Sequence, residues 1–315
     1  CKIINDVSPI TPKSIVCSIL LAHREPSLPL TEMLRIAERM ADYVTYSGMS
    51  LSTPQKTSFR LAVESTVRNL NKKGSINVIE GTPRSYSVDY RRRVLLNFYK
   101  NNAIHCFVIP AITVLAFFDT ANRSKKNKGL SGTFYSEFMS SALMLRNILK
   151  FEFFFSPRNV FTEEIKKTLN YFSPGGSWET ASLQEWVNAF HQYFRDWDEA
   201  TVYTGLIGEL LESYAILMGF LKENPGESSE KKQMISRLVK FGQELSSESK
   251  LSYPEAISVQ NFSNGLLSCE NKKYISTEKV EDHTVLKIAP WNLETENVLK
   301  RIEEYMALLI ERPGV

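Results

Sequence analysis

The 315-residue sequence is poor in cysteine and histidine, with only four of each. Cys1, Cys17, Cys106 and Cys269 stand far apart and form no CxxC pair, so their spacing supports neither a zinc site nor a disulfide framework. Cys17 and Cys106 fall in apolar helical stretches and read as small buried hydrophobes of a reducing compartment. His23 and His283 lack ligand-spaced neighbours, so no metal site is expected. Gly-rich phosphate loops, GxSxG elbows and HExxH pairs are all missing, which removes nucleotide cradles, serine hydrolases and zinc proteases from consideration. No sign of charge dominates either. The net charge is +3, and acids alternate with bases along most of the chain. Duplex-binding proteins show a basic stripe and a high pI, so nucleic acid is not expected as a partner.

Long hydrophobic runs are absent too. The longest uncharged apolar stretch, Ala103 to Phe118, contains His105 and Pro110 and falls short of the roughly 20 residues a spanning helix needs. It reads as a buried core helix, with no transmembrane helix expected in the chain. The opening CKIINDVSPITP has neither a basic n-region nor an apolar h-region. It reads as mid-chain sequence, and the chain as a piece of a longer polypeptide.

What the sequence does have is core material, with 18 Phe and 13 Tyr, arranged largely at helical spacing. Thr11-Pro12 caps and opens a first helix that must stop near His23, because Pro26 and Pro29 follow. A second helix starts about Leu30. A third runs from about Thr57 to Lys72, with Phe59, Leu61, Val63, Val67 and Leu70 as its apolar positions and Gly74 as its stop. The period then changes: Ile76 and Val78, then Tyr86 and Val88, alternate around Gly81-Thr82-Pro83-Arg84 as a short hairpin. Three helices and a hairpin are the order of a winged-helix unit. A helix about Ala256 to Cys269, followed by KKYIST and TVLKIA, predicts a similar ending.

Between these lie helical patterns over Tyr90 to Phe118, broken at Pro110, and over Thr133 to Phe155, Gln184 to Trp197 and Val202 to Leu221. Polar, glycine-containing stretches at Arg123 to Gly132 and Asn224 to Lys232 read as linkers. The expected fold is mainly α: a multi-helix bundle with small winged-helix-like β-hairpins near residues 75–89 and 272–289. Three parts are expected: a winged-helix-like subdomain over 1–89, a central apolar helical bundle over 90–223, and a C-terminal helical subdomain with a hairpin over 224–315. No regular internal repeat is visible.

The most distinctive stretch is YRRRVLLNFYKNNAIHCFVIP, Tyr90 to Pro110. On a continuous helix Asn101 and Asn102 share a face with His105, bordered by Leu95, Phe98, Ile104 and Ile109. Polar groups in such surroundings need partners, so the trio is either a polar site or a satisfied structural network. Arg91, Arg92 and Arg93 sit at the helix start, where such clusters bind phosphate or anionic lipid headgroups, or form a solvated helix face. His191 and Asp196 have His-x4-Asp spacing, but within the amphipathic LQEWVNAFHQYFRDW their side chains fall on poorly aligned faces. They are read as a chance match, not a catalytic pair.

FYKNNAIHCFVIPAI is similar to the (Y/F)Y(R/K)NN…H…P block in the C-terminal region of glycerol-3-phosphate acyltransferases of the large bacterial and mitochondrial type. The positions that carry it are Tyr99, Lys100, Asn101, Asn102, His105 and Pro110. Downstream, LRNILKFEFFF resembles that family's Leu–Lys–x–Glu–Phe segment, matched by Leu149, Lys150, Glu152 and Phe153. Upstream, VSPITPKSIVCSILLAHREPSL resembles the helix that directly follows the family's acyltransferase domain. The three blocks occur in family order between Val7 and Arg158; beyond that the likeness is one of outline.

The resemblance implies an enzyme that transfers an acyl group from a thioester to the sn-1 hydroxyl of glycerol 3-phosphate. In that family a His-x4-Asp block upstream supplies the general base. It implies that this segment holds no catalytic residue and needs no cofactor. The acyl thioester and glycerol 3-phosphate would be bound by the upstream catalytic domain, and this segment's partners would be that domain and a membrane surface. The implied location is peripheral, on the cytoplasmic face of a bacterial inner membrane. Two other readings stay open: a winged-helix module that binds nucleic acid, and a helical protein-interaction scaffold.

Overall fold

Thr11 opens helix α1 (Pro12–Ala22) as the spacing predicts: its hydroxyl accepts from Ser14 N–H, Ser14 returns the bond, and Pro12 takes the first helical position. His23 closes it in an extended conformation. The computed structural model describes residues 9–52, 58–126, 132–280 and 283–310, so Cys1 lies outside the described residues. Strand β1 (Leu28–Pro29) leads into α2 (Leu30–Tyr46). Ser58 caps α3 (Phe59–Lys72), which buries Ala62, Val63, Val67 and Leu70 but leaves Leu61 exposed.

Gly74 stops α3 in the left-handed region at φ +63°, and an added Cβ would lie 3.0 Å from the Arg92 guanidinium. The hairpin follows as β2 (Asn77–Ile79) and β3 (Ser85–Ser87), with Val78 opposite Tyr86. β1 adds to it, giving the sheet order β1-β3-β2.

A 3-10 turn over Tyr90–Arg92 precedes α4 (Arg93–Asn101), and α5 runs over Ile104–Lys125. The helical pattern breaks at Asn102 and Ala103, not at Pro110, which sits buried inside α5. Proline at the seventh position of α5 forfeits a hydrogen bond, but packing on every side keeps the helix whole. α5 is long and apolar enough to cross a bilayer, and 89% of its apolar window is buried within the protein. It reaches Lys125, so the stretch expected as a linker begins in helix; residues 127–131 of it lie outside the described residues.

Then come α6 (Phe134–Leu149), α7 (Arg158–Phe172), α8 (Leu183–Tyr193) and α9 (Trp197–Gly205). α8 ends earlier than its apolar pattern suggests, because Asp196 begins a new helix as the cap of α9.

The pattern over Val202 to Leu221 divides between α9 and α10 (Gly208–Glu223). The second expected linker contains a strand, β4 (Ser228–Glu230), ahead of α11 (Lys231–Ser247). Ser258 caps α12 (Val259–Asn271), which therefore begins later than Ala256. Strands β5 (Ile275–Val280) and β6 (His283–Ile288) pair from Ile275↔Ile288 to Val280↔His283, and α13 (Leu293–Ile310) closes the described chain.

Two compact units result. The first comprises Cys1–Val114, Thr133–Tyr135 and Asn159–Ile207; the second comprises Leu115–Gly132, Ser136–Arg158 and Gly208–Val315. In the first, nearly every residue of α1 is buried, against α2, α3, α4 and α9. α9 approaches it so closely that a Cβ on Gly205 would stand 2.4 Å from the Ala22 carbonyl oxygen. In the second, α10 plays the same central part against α11, α12 and α13.

Each unit carries the order helix, strand, helix, helix, hairpin. The second sheet, β4-β6-β5, matches the first strand for strand. The topology is therefore duplicated although the sequence shows no repeat, because strand pairing follows alternation and turn position rather than residue identity.

Candidate functional site

The Tyr90-to-Pro110 stretch is positioned by its cations. Asp89 accepts from Arg91 N–H at 2.9 Å and so starts the 3-10 turn. One side of α4 lies along α1. There Leu96 is buried, Arg93 donates to the Leu21 carbonyl at 2.9 Å, and the Lys13 ammonium stands 3.3 Å from the Tyr99 ring centre. Lys100, 2% exposed, donates to the Leu206 carbonyl at 3.2 Å. Leu21 lies in the last turn of α1, and Leu206 directly follows α9. Arg93 and Lys100 thus each place positive charge on a helix C-terminus, where carbonyls lack partners and the helix dipole is negative.

The opposite side of α4 is open. Val94, Leu95 and Phe98 are exposed there, with Arg91 before them and Asn101 and Asn102 after. The two asparagines therefore face solvent at the end of α4. His105, beyond the break, is half-buried, and the three do not form one enclosed polar row.

His105 lines a cavity of about 250 Å³ together with Tyr43, Tyr46, Cys106, Lys167 and Thr168. Tyr43 and Thr168 share a hydrogen bond of 3.1 Å, and Tyr46 donates to the Lys167 carbonyl at 3.1 Å. Burial holds the Tyr43 hydroxyl above its ordinary range and pushes the Cys106 thiol up to about 12. Both stay protonated near neutral pH, so this wall offers hydrogen bonds and apolar contact rather than an activated nucleophile. Burial likewise pushes the Cys17 and Cys269 thiols up to about 12.

His191 and Asp196 do not act on each other. The Asp196 carboxylate accepts from Glu199 N–H at 2.9 Å as the cap of α9, while the His191 ring lies 4.3 Å from that of Trp197. Sequence reading missed Glu199 itself. It is buried, and Arg35 and Arg39 of α2 hold it at 2.5 and 3.1 Å. Only the spacing of the two arginines, four apart on one helix face, hints at a shared partner.

The family model for the glycerol-3-phosphate acyltransferase C-terminal region matches residues 1–278. The chain belongs to this family. An acyltransferase named plsB1 from Mycobacterium tuberculosis is 22% identical over 287 residues, which is 89% of this chain and 44% of the relative. Its counterpart in Mycobacterium bovis gives the same figures. A glycerol-3-phosphate acyltransferase of Glaesserella parasuis is 26% identical over 109 residues, 35% of this chain and 13% of that protein. This acyltransferase-family chain thus spans less than half the length of the curated relatives it matches.

The family's second block lies in the second unit. Lys150 donates to the Asn271 side chain. Glu152 accepts from Asn264 Nδ2 at 2.8 Å and from the Tyr214 hydroxyl at 3.2 Å. Its carboxyl is pushed up to about 7, first by burial and further by the Glu209 charge, against the pull of those two hydrogen bonds. The unfolded carboxyl titrates near about 4.3. The native chain therefore keeps a proton that the unfolded chain releases, and stability falls as pH rises from roughly 4.5 to 7, then levels off. In Glu152→Gln that fall should flatten by about 2–3 kcal/mol, read from urea melts across this window. An unchanged slope would mean that Glu152 is ionised in the native state throughout.

Proposed function

We propose that this chain is the non-catalytic C-terminal helical part of a membrane-associated glycerol-3-phosphate 1-O-acyltransferase. The reaction moves an acyl group from a thioester to the sn-1 hydroxyl of glycerol 3-phosphate, giving lysophosphatidate, the first step of phospholipid synthesis. The observation that carries the reading is the family match over residues 1–278. The relatives' names agree with it, and their greater length leaves room for a catalytic segment beyond this chain. The chain's own chemistry agrees as well. Its His-x4-Asp spacing is dissolved by the capping role of Asp196, and burial holds the Tyr43 hydroxyl and the Cys106 thiol beside His105 protonated.

In this reading Lys100, Arg93, Tyr99 and Pro110 shape the α4–α5 segment, and Lys150 and Glu152 secure α12. The catalytic segment binds both substrates and acts at the cytoplasmic face of a bacterial inner membrane.

The test is acyl transfer from a long-chain thioester to labelled glycerol 3-phosphate, by the full-length protein and by the 315-residue chain in parallel. Activity is expected in the first alone. Activity in the isolated chain would place a catalytic pair inside it, and silence from both would remove the reading. A second reading, an interaction module, draws on the duplicated winged-helix-like topology. It is favoured if the full-length protein proves inactive.

A further inference from the structure

The turn before α4 and the end of α3 meet in space, because Arg92 lies against Gly74, the residue that stops α3. This brings Lys72 and Lys73 to the same region as Arg91 and Arg92. Arg68 and Arg84, the neighbouring cations, are paired with Glu64 and Glu80. Among the described residues Lys72, Lys73, Arg91 and Arg92 take part in no ion pair. Asp89, in the same turn, accepts from the Arg91 backbone N–H. Arg93 is not part of the cluster, since its guanidinium turns inward to the Leu21 carbonyl. In a chain whose net charge is only +3, this is a concentrated positive patch.

Directly beside it the exposed face of α4 is apolar. Val94, Leu95 and Phe98 are 63, 51 and 67% exposed, and Tyr90 in the preceding 3-10 turn is 55% exposed. Large apolar side chains so open in a row mark a contact surface. Apolar residues on one side of a helix with unpaired cations at its end suit the boundary between lipid headgroups and acyl chains. The rings and aliphatic groups enter while the arginines and lysines reach anionic headgroups. A protein partner would need acidic residues against the patch and an apolar groove at α4; an anionic bilayer offers both chemistries at once.

We infer that the outer face of α4, with Lys72, Lys73, Arg91 and Arg92 at its border, seats the protein on an anionic lipid bilayer. The inference rests on the acyltransferase reading and adds the surface by which the enzyme meets its membrane.

Binding of the full-length protein to vesicles of equimolar phosphatidylglycerol and phosphatidylcholine tests it, with pure phosphatidylcholine vesicles as the comparison. The wild type should partition strongly onto the anionic vesicles and weakly onto the neutral ones. Phe98→Glu should weaken anionic binding about tenfold or more. Lys72→Glu with Arg91→Glu should do so by a similar factor and should leave neutral binding unchanged. All three positions are exposed, and matching melting curves would establish that the variants fold. Acyl transfer measured in detergent micelles separates the two readings, because it reports the enzyme's activity without a bilayer. Three results would overturn the inference: no preference of the wild type for anionic vesicles, vesicle binding indifferent to Phe98→Glu, or loss of micellar activity in that variant with binding retained. The last would mean that the face docks on the rest of the polypeptide.

Discussion

Lys100→Ala should lower the stability of the first unit by about 3 kcal/mol while leaving the KM values of the proposed full-length acyltransferase near their original level. Two losses add. Lys100 is buried, and removal of its aliphatic stem leaves a cavity. The ammonium also supplies a hydrogen bond to the Leu206 carbonyl just past the end of α9, where helix-end carbonyls lack intrahelical partners. Lys100→Met keeps most of the volume and should cost about 1–2 kcal/mol, the share that belongs to the polar contact. Melting temperature followed beside steady-state kinetics decides the matter. A family-motif lysine that bound substrate would show the reverse, an unchanged melt and a large rise in KM.

The second large effect belongs to Arg301. Its guanidinium meets both oxygens of Asp119, at 3.1 and 2.8 Å, donates to the Tyr305 hydroxyl at 3.0 Å and also reaches Glu304. The Asp119 side chain is only 3% exposed, with Arg123 at 3.2 Å as its other cation. Arg301→Met should destabilise the second unit by about 3–5 kcal/mol, because it strands a buried carboxylate with half its compensation. Combining Arg301→Met with Asp119→Leu should cost less than Arg301→Met alone, since the stranded charge is then gone. Urea melts of the single and double variants give the comparison. Losses that simply sum would mean that the two residues act independently.

Both networks show where sequence reading stops. The separate spacing of Lys100 in an apolar helix and of Arg301 among acids on α13 says that each needs a partner. It does not say which, because Leu206 and Asp119 are 106 and 182 residues away. Local signals were legible. The Thr11 cap with Pro12 behind it, the glycine stop at Gly74 and the alternation around Tyr86 depend on residues within one or two turns, and all three appear as read. Signals that packing can override were not. Pro110 should have ended a helix in isolation, yet it lies inside α5 because the surrounding core stabilises the whole length. The polar stretch after Asn224 holds a strand because an open edge of β6 lies beside it.

The sequence by itself determined the mainly helical class, both hairpins and the acyltransferase-family resemblance, since periodicity, turn chemistry and motif order are written in neighbouring residues. Tertiary structure alone decided which side of each motif residue's helix is covered. It turned Arg93 and Lys100 inward to close helix ends and left Arg91, Asn101 and Asn102 in solvent. It also drew Asp196 away from His191 into a cap. The reason is physical: a side chain's role depends on which distant backbone groups need its charge or its hydrogen bond, and only the folded chain brings the two together.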